Sequence, residues 1–216
     1  MKLLAFVIAT LSSALCAHTA YAMPSYNPLG AQSNVALATV TGGGWTQCYQ
    51  ATMNVSIGND ASTALANCGD GDLLMMAGRV TGSETLLSLA EGDKTQVLAD
   101  TGQTSTTHTV NGAEWWFSHN WSWGFTALGD TVNNNQCDTS DSPLSMCLHT
   151  LDGVGGYRIN NITGLNNSTQ YEKLLFVSSS AVTPGAVPEP GTTALLGLGL
   201  MGFIAMRRKS AKSKNA

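Results

Sequence analysis

The amino-acid sequence predicts an all-β protein, built as an antiparallel β-sandwich or a barrel-like domain. Short segments rich in β-branched and aromatic residues recur about every ten residues through the middle of the chain, and glycine-containing turns separate them. An apolar pattern with the period of a helix is almost absent from that region. The region also holds four cysteines, which suits a small domain stabilised by disulfides. Short strands joined by turns are typical of antiparallel sandwiches and barrels.

The positions of the strands follow from the alternation of apolar and polar residues and from the turns between them. We expect strands at residues 35–40, 45–57, 73–80, 85–90, 95–100, 115–125, 144–150, 156–162 and 172–178. Turns at 81–83 and 91–93 separate the strands in the middle of this series. A single helical turn is expected at residues 62–67, with Ser62 as its N-cap.

The aromatic stretch at residues 115–125 is the densest hydrophobic signal in the chain. With the period of two of a β-strand, the residues of one face are Trp115, Phe117, His119, Trp121, Trp123 and Phe125. A turn at 118–120 would instead make the stretch a hairpin of two strands. We predict that this aromatic face forms the core, because each large ring buries about 150–250 Å². A sugar-stacking platform is the alternative. Trp116, on the more polar opposite face, is the ring that we expect to be exposed and the candidate ligand-binding residue.

The beginning of the chain has the features of a secretory signal peptide. A cation at Lys2, an apolar run at residues 3–15 and the small-residue site Ala20-Tyr21-Ala22 occur in that order. Cleavage after Ala22 makes Met23 the first mature residue. The sequence therefore predicts export across the inner membrane.

The end of the chain consists of a short motif, an apolar run and a basic cluster. Pro188, Glu189 and Pro190 form the motif, and residues 192–206 form the uncharged apolar run. As a helix this run rises roughly 22 Å, less than the ~30 Å of a bilayer core. The basic residues that follow are Arg207, Arg208 and Lys209, and they match the positive-inside rule for a membrane stop.

In these three parts the tail resembles the sorting signal of PEP-CTERM proteins, which are exported bacterial proteins. The resemblance implies an exosortase as the partner that cleaves at or near Pro188-Glu189-Pro190 and removes the helix. It also implies a transient or permanent anchor in the inner membrane, followed by delivery to the cell envelope or extracellular matrix of a Gram-negative bacterium. The resemblance ties such cargo to exopolysaccharide and biofilm.

The four cysteines that remain after export, Cys48, Cys68, Cys137 and Cys147, predict two disulfides with three possible connectivities. A zinc site is the alternative, but it requires close cysteine pairs, and here the spacings are twenty and ten residues. We favour the pairing of sequence neighbours, Cys48 with Cys68 and Cys137 with Cys147, because short loops close at lower entropic cost.

The charge and the motifs of the body, residues 23–187, restrict its function. Four Lys and Arg against thirteen Asp and Glu give a formal charge of −9, which makes nucleic acid a poor partner. The zinc-hydrolase pattern H-E-x-x-H and the nucleophile pattern G-x-S-x-G do not occur in the sequence. A glycosidase requires a pair of acids, for which Glu114, Asp130 and Asp152 are candidates, but the sequence gives no reason to pair them. We predict no cofactor, no metal site and no catalytic residue.

The expected organisation is a signal peptide at 1–22, a mobile N-terminal segment at 23–34, an all-β domain at 35–178, a linker at 179–187 and the sorting signal at 188–210. The expected function is a structural or adhesive role in the extracellular matrix or biofilm. A carbohydrate-binding module that uses exposed tryptophans is the first alternative, and a hydrolase with an unrecognised site is the second.

Overall fold

The computed structural model describes residues 24–69, 71–133, 137–139 and 143–179. The predicted signal peptide, the apolar run at 192–206 and the sorting motif lie outside the described residues. Contacts divide the chain into Met1–Ser179 and Ser180–Ala216, and only the first of these units contains described residues. Among the described residues, no helix has the length and apolar character that a membrane crossing would need.

The described residues fold mainly as strands. These strands are β1 (Val35–Ala36), β2 (Thr46–Thr52), β3 (Leu73–Val80), β4 (Thr85–Asp93), β5 (His108–Val110), β6 (Ala113–Ser118), β7 (Ser122–Ala127), β8 (Val132–Asn133), β9 (Asp138–Thr139), β10 (Met146–His149), β11 (Gly156–Ile159) and β12 (Tyr171–Ser178). The short α-helices are α1 (Leu37–Gly42), α2 (Ser62–Leu65) and α3 (Lys94–Val97), and 3₁₀ turns occur at Asn59–Ala61 and Leu165–Asn167.

The strands form two five-stranded antiparallel sheets and one small ribbon. The first sheet has the order β1-β4-β3-β12-β2, the second has the order β11-β10-β7-β6-β5, and β8 pairs with β9. Both sheets are open, with different strands at their two edges. The all-β prediction is therefore confirmed as a sandwich, and the barrel-like alternative is not.

The main core lies between the two sheets. Leu74 and Met76 of β3 contribute to it from the first sheet, and alternate residues of the β6–β7 hairpin contribute from the second. The four aromatic residues of that hairpin face are Trp115, Phe117, Trp123 and Phe125, and all four are buried. Trp115 and Phe125, which are paired across the hairpin, have ring centroids 5.2 Å apart. These four residues confirm the predicted aromatic core.

Residues 24–34, which we call the strap, run beside the first sheet: Tyr26 packs on the outer-face cluster near α1, and Ala31 packs against the main core. The indole nitrogen of Trp45 donates a hydrogen bond of 2.7 Å to the carbonyl oxygen of Tyr26. Gln32 and Leu89 exchange two backbone hydrogen bonds, of 2.8 and 3.0 Å, which join the strap to β4. A second apolar cluster forms between the first sheet and the residues of the strap and α1 that pack on it. Its buried members are Val40, Trp45, Met75, Ala77, Leu86, Leu89, Leu174 and Phe176.

Two predicted strands are wrong. The strand expected at 35–40 ends at Ala36, and α1 follows, burying Val40 against the first sheet. The strand expected at 95–100 is replaced at its start by α3. The Asp93 carboxylate caps this helix by accepting hydrogen bonds from the backbone amides of Thr95 and Gln96, at 3.0 and 3.1 Å. The turn expected at 91–93 is therefore the end of β4, which runs to Asp93.

The helical turn expected at 62–67 is present as α2, but its N-cap is Ala61 in a left-handed conformation, and Ser62 is the first helical residue. Of the two layouts considered for the aromatic stretch, the hairpin is the one present, as β6 and β7, with the turn at residues 119–121 instead of 118–120.

Both disulfides join the cysteines that are neighbours in sequence, as predicted. Cys48 pairs with Cys68, and Cys137 pairs with Cys147, with Cα–Cα distances of 5.1 and 5.7 Å. Cys48 is the extra residue at a register irregularity between β2 and β12, so the first disulfide fixes an edge strand to the segment after α2. The second disulfide joins Cys137, which lies between β8 and β9, to Cys147 of β10.

The ion pair between Arg79 and Glu172 is buried on the outer face of the first sheet. Glu172 also accepts hydrogen bonds from the amide of Gln50 at 3.0 Å and from the backbone of Gly82 at 3.2 Å. The carboxylate thus joins β12 to the edge strand and to the β3–β4 turn. Removing either charged partner would leave the other charge buried and uncompensated.

Candidate functional site

Trp116 is buried, which contradicts the prediction that it is the exposed ligand-binding ring. It is 0% exposed and packs with Val132, Cys137 and Cys147 on the outer face of the second sheet. Its indole nitrogen donates a hydrogen bond of 3.1 Å to the hydroxyl of Ser122. The alternation placed Trp116 on the correct face, but Val132 and Cys137 pack against the ring on that face. Trp116 is therefore a packing residue, and its ring is not exposed to a ligand.

Trp121 is not a core residue, which contradicts the prediction that placed it on the core face of the aromatic stretch. It lies in the turn between β6 and β7 and is half-buried. Its backbone amide donates to the hydroxyl of Thr150 at 2.7 Å, and its carbonyl accepts from the Thr150 amide at 3.1 Å. The turn interrupts the period of two after Ser118, so Trp121 and His119 leave the face that the pattern gave them.

Three half-buried aromatic residues lie together near this turn, and we call Trp121, His149 and Tyr157 the aromatic edge. The rings of His149 and Tyr157 meet edge to face, with centroids 5.9 Å apart. The Nδ1 atom of His149 lies 3.4 Å from the carbonyl oxygen of Trp121. His149 is opposite Ser122 in the β10–β7 register, so its side chain lies on the same outer face as the indole of Trp116.

The aromatic edge has little formal charge near neutral pH. Burial lowers the pKa of His149 from its usual value of 6.5, and the contact with the Trp121 carbonyl opposes this shift only in part. The imidazole is therefore mostly neutral at pH 7. Neutral rings with a hydroxyl and ring nitrogens at their rim can stack on the C–H face of a sugar and hydrogen-bond its hydroxyls.

A second polar group lies at the same turn, where His119 sits between two carboxylates. Its Nδ1 atom is 3.1 Å from Oδ1 of Asp60, and its Nε2 atom is 4.0 Å from Oδ2 of Asp100. The same Asp60 oxygen accepts a hydrogen bond of 3.0 Å from the backbone amide of Asn120. The His119 side chain is 55% exposed, so solvent screens these interactions strongly. The carboxylates of the trio can accept hydrogen bonds from a polar ligand.

The backbone near this trio adopts conformations that favour glycine. Asp60, Ala61 and Asn120 have φ values of 55°, 58° and 52°. Asp60 and Ala61 are held by backbone hydrogen bonds to Thr150 and Gly58, at 3.0 and 3.1 Å. The sequence pattern placed His119 on the aromatic face and did not indicate these contacts, because Asp60 and Asp100 are distant from it in the chain. No signal in the sequence alone would have joined the three.

The acids considered for a glycosidase pair occupy local hydrogen-bond networks. Glu114 accepts hydrogen bonds from the hydroxyls of Thr107 and Thr109, at 3.0 and 3.2 Å. Asp130 accepts one from Thr126 at 2.7 Å. Within the part of the chain that the structure describes, no group of three or more His, Cys, Asp or Glu residues is arranged to hold a metal ion.

The predicted sorting residues, from Pro188 to Lys209, lie outside the described residues, and the comparison with protein families bears on them. A family model described as the PEP-CTERM protein-sorting motif matches residues 186–209. Comparison with curated proteins and with solved structures finds no match to the chain.

Proposed function

Since the chain carries the PEP-CTERM sorting motif and is an exosortase-sorted protein of the cell envelope or extracellular space, we propose that its body has a structural or adhesive role in the extracellular matrix. The expected contact is with exopolysaccharide, and the expected setting is a biofilm. The observation that carries this proposal is the disulfide-braced sandwich delivered by that signal. One disulfide links the edge strand β2 of the first sheet to Cys68, and the other links Cys137 to β10 of the second sheet.

Two cross-links suit a domain that must persist outside the cell. Each disulfide constrains the unfolded chain and contributes about 2–4 kcal/mol in typical proteins. The body is acidic, with a formal charge of −9, so attraction to anionic polymers is not expected to hold it in the matrix. Retention would instead depend on neutral contacts such as stacking and hydrogen bonding.

The matrix role is tested with a strain that lacks the protein. We expect its matrix to lose cohesion under shear, and we expect restoration by the wild-type gene but not by a gene with Pro188 and Glu189 changed to Ala. Pro184→Ala is the matched control, because it removes a proline from the linker and leaves the motif intact. A deletion strain whose matrix is as cohesive as that of the wild type would contradict the proposal.

The processing of the chain is part of the same proposal. Residues 1–22 would leave as the signal peptide, residues 179–187 would act as a linker, and the apolar run would anchor the protein in the inner membrane until cleavage. Arg207, Arg208 and Lys209 would remain on the cytoplasmic side. Intact-mass analysis of the released protein should give a C-terminus near Pro188. A released protein that still carries residues 207–216 would sink this part of the proposal.

Carbohydrate binding is the second candidate function, and the aromatic edge is the observation that favours it. Tyr157→Ala should weaken binding of the released protein to the host's exopolysaccharide about 5- to 150-fold, since loss of one stacked ring costs about 1–3 kcal/mol where bases stack on aromatic side chains. Tyr171→Ala is a matched control, because Tyr171 is also half-buried but lies on the first sheet. Equal binding by wild type and Tyr157→Ala would exclude the aromatic edge as the sugar site.

A further inference from the structure

The strap contacts both sheets of the sandwich, and one buried carboxyl group lies where these elements meet. Glu91 of β4 is opposite Met75 in the register with β3, so its side chain is on the outer face of the first sheet, against which Tyr26 of the strap packs. It is 2% exposed. A carboxyl group at this depth is stable in its charged form only when enough partners compensate for the lost water.

Asn111, in the turn between β5 and β6, connects Glu91 to the strap. Its side-chain amide donates one hydrogen bond to Oε1 of Glu91 and another, of 2.8 Å, to the carbonyl oxygen of Pro28. Its own carbonyl accepts a hydrogen bond of 2.7 Å from the backbone amide of Gly30. The strap, the turn of the second sheet and the carboxyl group of the first sheet therefore share one asparagine.

The charged groups on this face are engaged elsewhere. Arg79 lies on the same face and pairs with Glu172. Asp93, two residues along β4, accepts the hydrogen bonds that cap α3. The strap and α1 contain no Asp, Glu, Lys or Arg, and the titratable residue that they bring is Tyr26, a tyrosine whose pKa burial raises. A negative charge on Glu91 would thus face apolar side chains and one amide.

We propose that Glu91 is a proton-controlled latch that holds the strap on the first sheet when it is neutral and loosens the strap when it ionises. The neutral carboxyl group accepts the Asn111 hydrogen bond and remains dry. The ionised group requires further hydrogen-bond donors, and water reaches it when residues 24–34 lift from the sheet. Opening would expose Met75 and Leu89, which belong to the second apolar cluster. The latch is independent of the proposed matrix function, because it concerns the fold of the body alone.

The protonation behaviour of Glu91 supports this geometry. Burial raises the pKa of Glu91 to about 7, and the Asn111 hydrogen bond lowers it by a smaller amount. The open strap returns the carboxyl group to water, where its pKa is near 4.5. Between these two values the open state binds fewer protons than the closed state, so opening becomes more favourable as pH rises. The closed strap is most stable below pH 4.5.

Hydrogen exchange of the secreted protein tests the latch. The amides of Gly30 and Gln32, which donate to Asn111 and Leu89, report strap opening after correction for the intrinsic exchange rate. From pH 5.5 to 8.5 the opening constant should increase roughly 30-fold in the wild type, given pKa values of about 7 and 4.5. Glu91→Gln, which keeps the acceptor for Asn111 but cannot ionise, should show no such increase. Glu84→Gln, at an exposed glutamate just before β4, should behave like the wild type.

An equal pH response in the wild type and Glu91→Gln would overturn the latch. If exchange in that variant is also faster at both pH values, the role of Glu91 is purely structural. If Glu91→Gln does not fold, the ¹³C shift of the Glu91 carboxyl carbon in the wild type decides the matter, because a midpoint near 4.5 excludes the latch.

Discussion

The side-chain nitrogen of Lys173 lies 2.6 Å from the carbonyl oxygen of Val55, beside the main core of the sandwich. It also donates to the carbonyl of Thr52 at 2.7 Å and lies 3.4 Å from that of Met53. The residue is 1% exposed, and its strand neighbour on the same face is Leu175. Lys173 thus binds the backbone carbonyls at and just after the end of edge strand β2, where the hydrogen-bonded pairing with β12 ends.

Lys173 predicts a rise in stability above neutral pH. Burial lowers its pKa from 10.5 to about 7, so between these values the unfolded state binds one more proton than the folded state. The free energy of unfolding should therefore rise by up to about 2 kcal/mol from pH 7.5 to 9, since each pH unit is worth about 1.4 kcal/mol. Lys173→Met should abolish the rise in urea titrations at the two pH values. Lys94→Met, at a half-buried lysine that contacts the carbonyl of Cys68, should retain it.

The sequence predicted best where a pattern is local. The strand at 73–80 coincides with β3, because all eight of its residues pair with β12 and seven of them also pair with β4. The disulfides followed from the lower entropic cost of short loops. The strand expected at 95–100 failed for a local reason of another kind. One carboxylate, that of Asp93, caps α3 and overrides the strand preference of the residues after it.

The candidate site depended on contacts that alternation cannot supply. A period of two assigns Trp116 to a face, but only the segment that includes Val132 and Cys137 decides whether that face is covered. Asp60, Asp100 and His119 meet because three separate loops converge at one end of the sandwich. Glu91 reads as a turn residue in sequence, but in the fold it is buried where Asn111 connects it to the strap.

Trp116 and Trp121, whose environments differ from those the sequence predicted, should lose different amounts of stability when truncated. Trp116→Ala should lower the free energy of unfolding by about 3–5 kcal/mol, as truncation of a buried aromatic residue does. Trp121→Ala should cost far less, about 1 kcal/mol, because the ring is half-buried in a turn. Thermal and urea unfolding of both variants measure the difference. If Trp121→Ala is as unstable as Trp116→Ala, the turn is part of the core and the aromatic edge is misassigned.

The two disulfides should be distinguishable by the exposure of Trp116. Replacing Cys137 and Cys147 with Ser removes the link that holds Cys137 against Trp116, so acrylamide should quench Trp116 fluorescence more strongly. Replacing Cys48 and Cys68 should destabilise the protein by about 2–4 kcal/mol without this change in quenching. Subtracting the signal of a Trp116→Phe protein isolates the indole in question. Equal quenching in the two double-serine variants would show that the second disulfide does not protect Trp116 from solvent.

Gly124 gives the sharpest steric prediction, because the indole of Trp116 occupies the space that a side chain would need. A Cβ atom at Gly124 would lie 2.2 Å from the carbonyl oxygen of Met146 and 2.5 Å from a ring carbon of Trp116. Gly124→Ala must therefore displace β10 or the ring, and we expect a loss of about 3 kcal/mol or more. Gly42→Ala is the matched control, since a Cβ there meets no atom within 4 Å and α1 favours alanine.

Pairing Gly124→Ala with Trp116→Phe separates the two clashes. The smaller ring relieves the contact at 2.5 Å but leaves the Met146 carbonyl in place, so the double variant should recover only part of the lost stability. Urea unfolding of the two single variants and the double variant gives the coupling energy directly. Strict additivity would mean that Gly124 and Trp116 are not in contact, and the packing of the outer face of the second sheet would have to be reassigned.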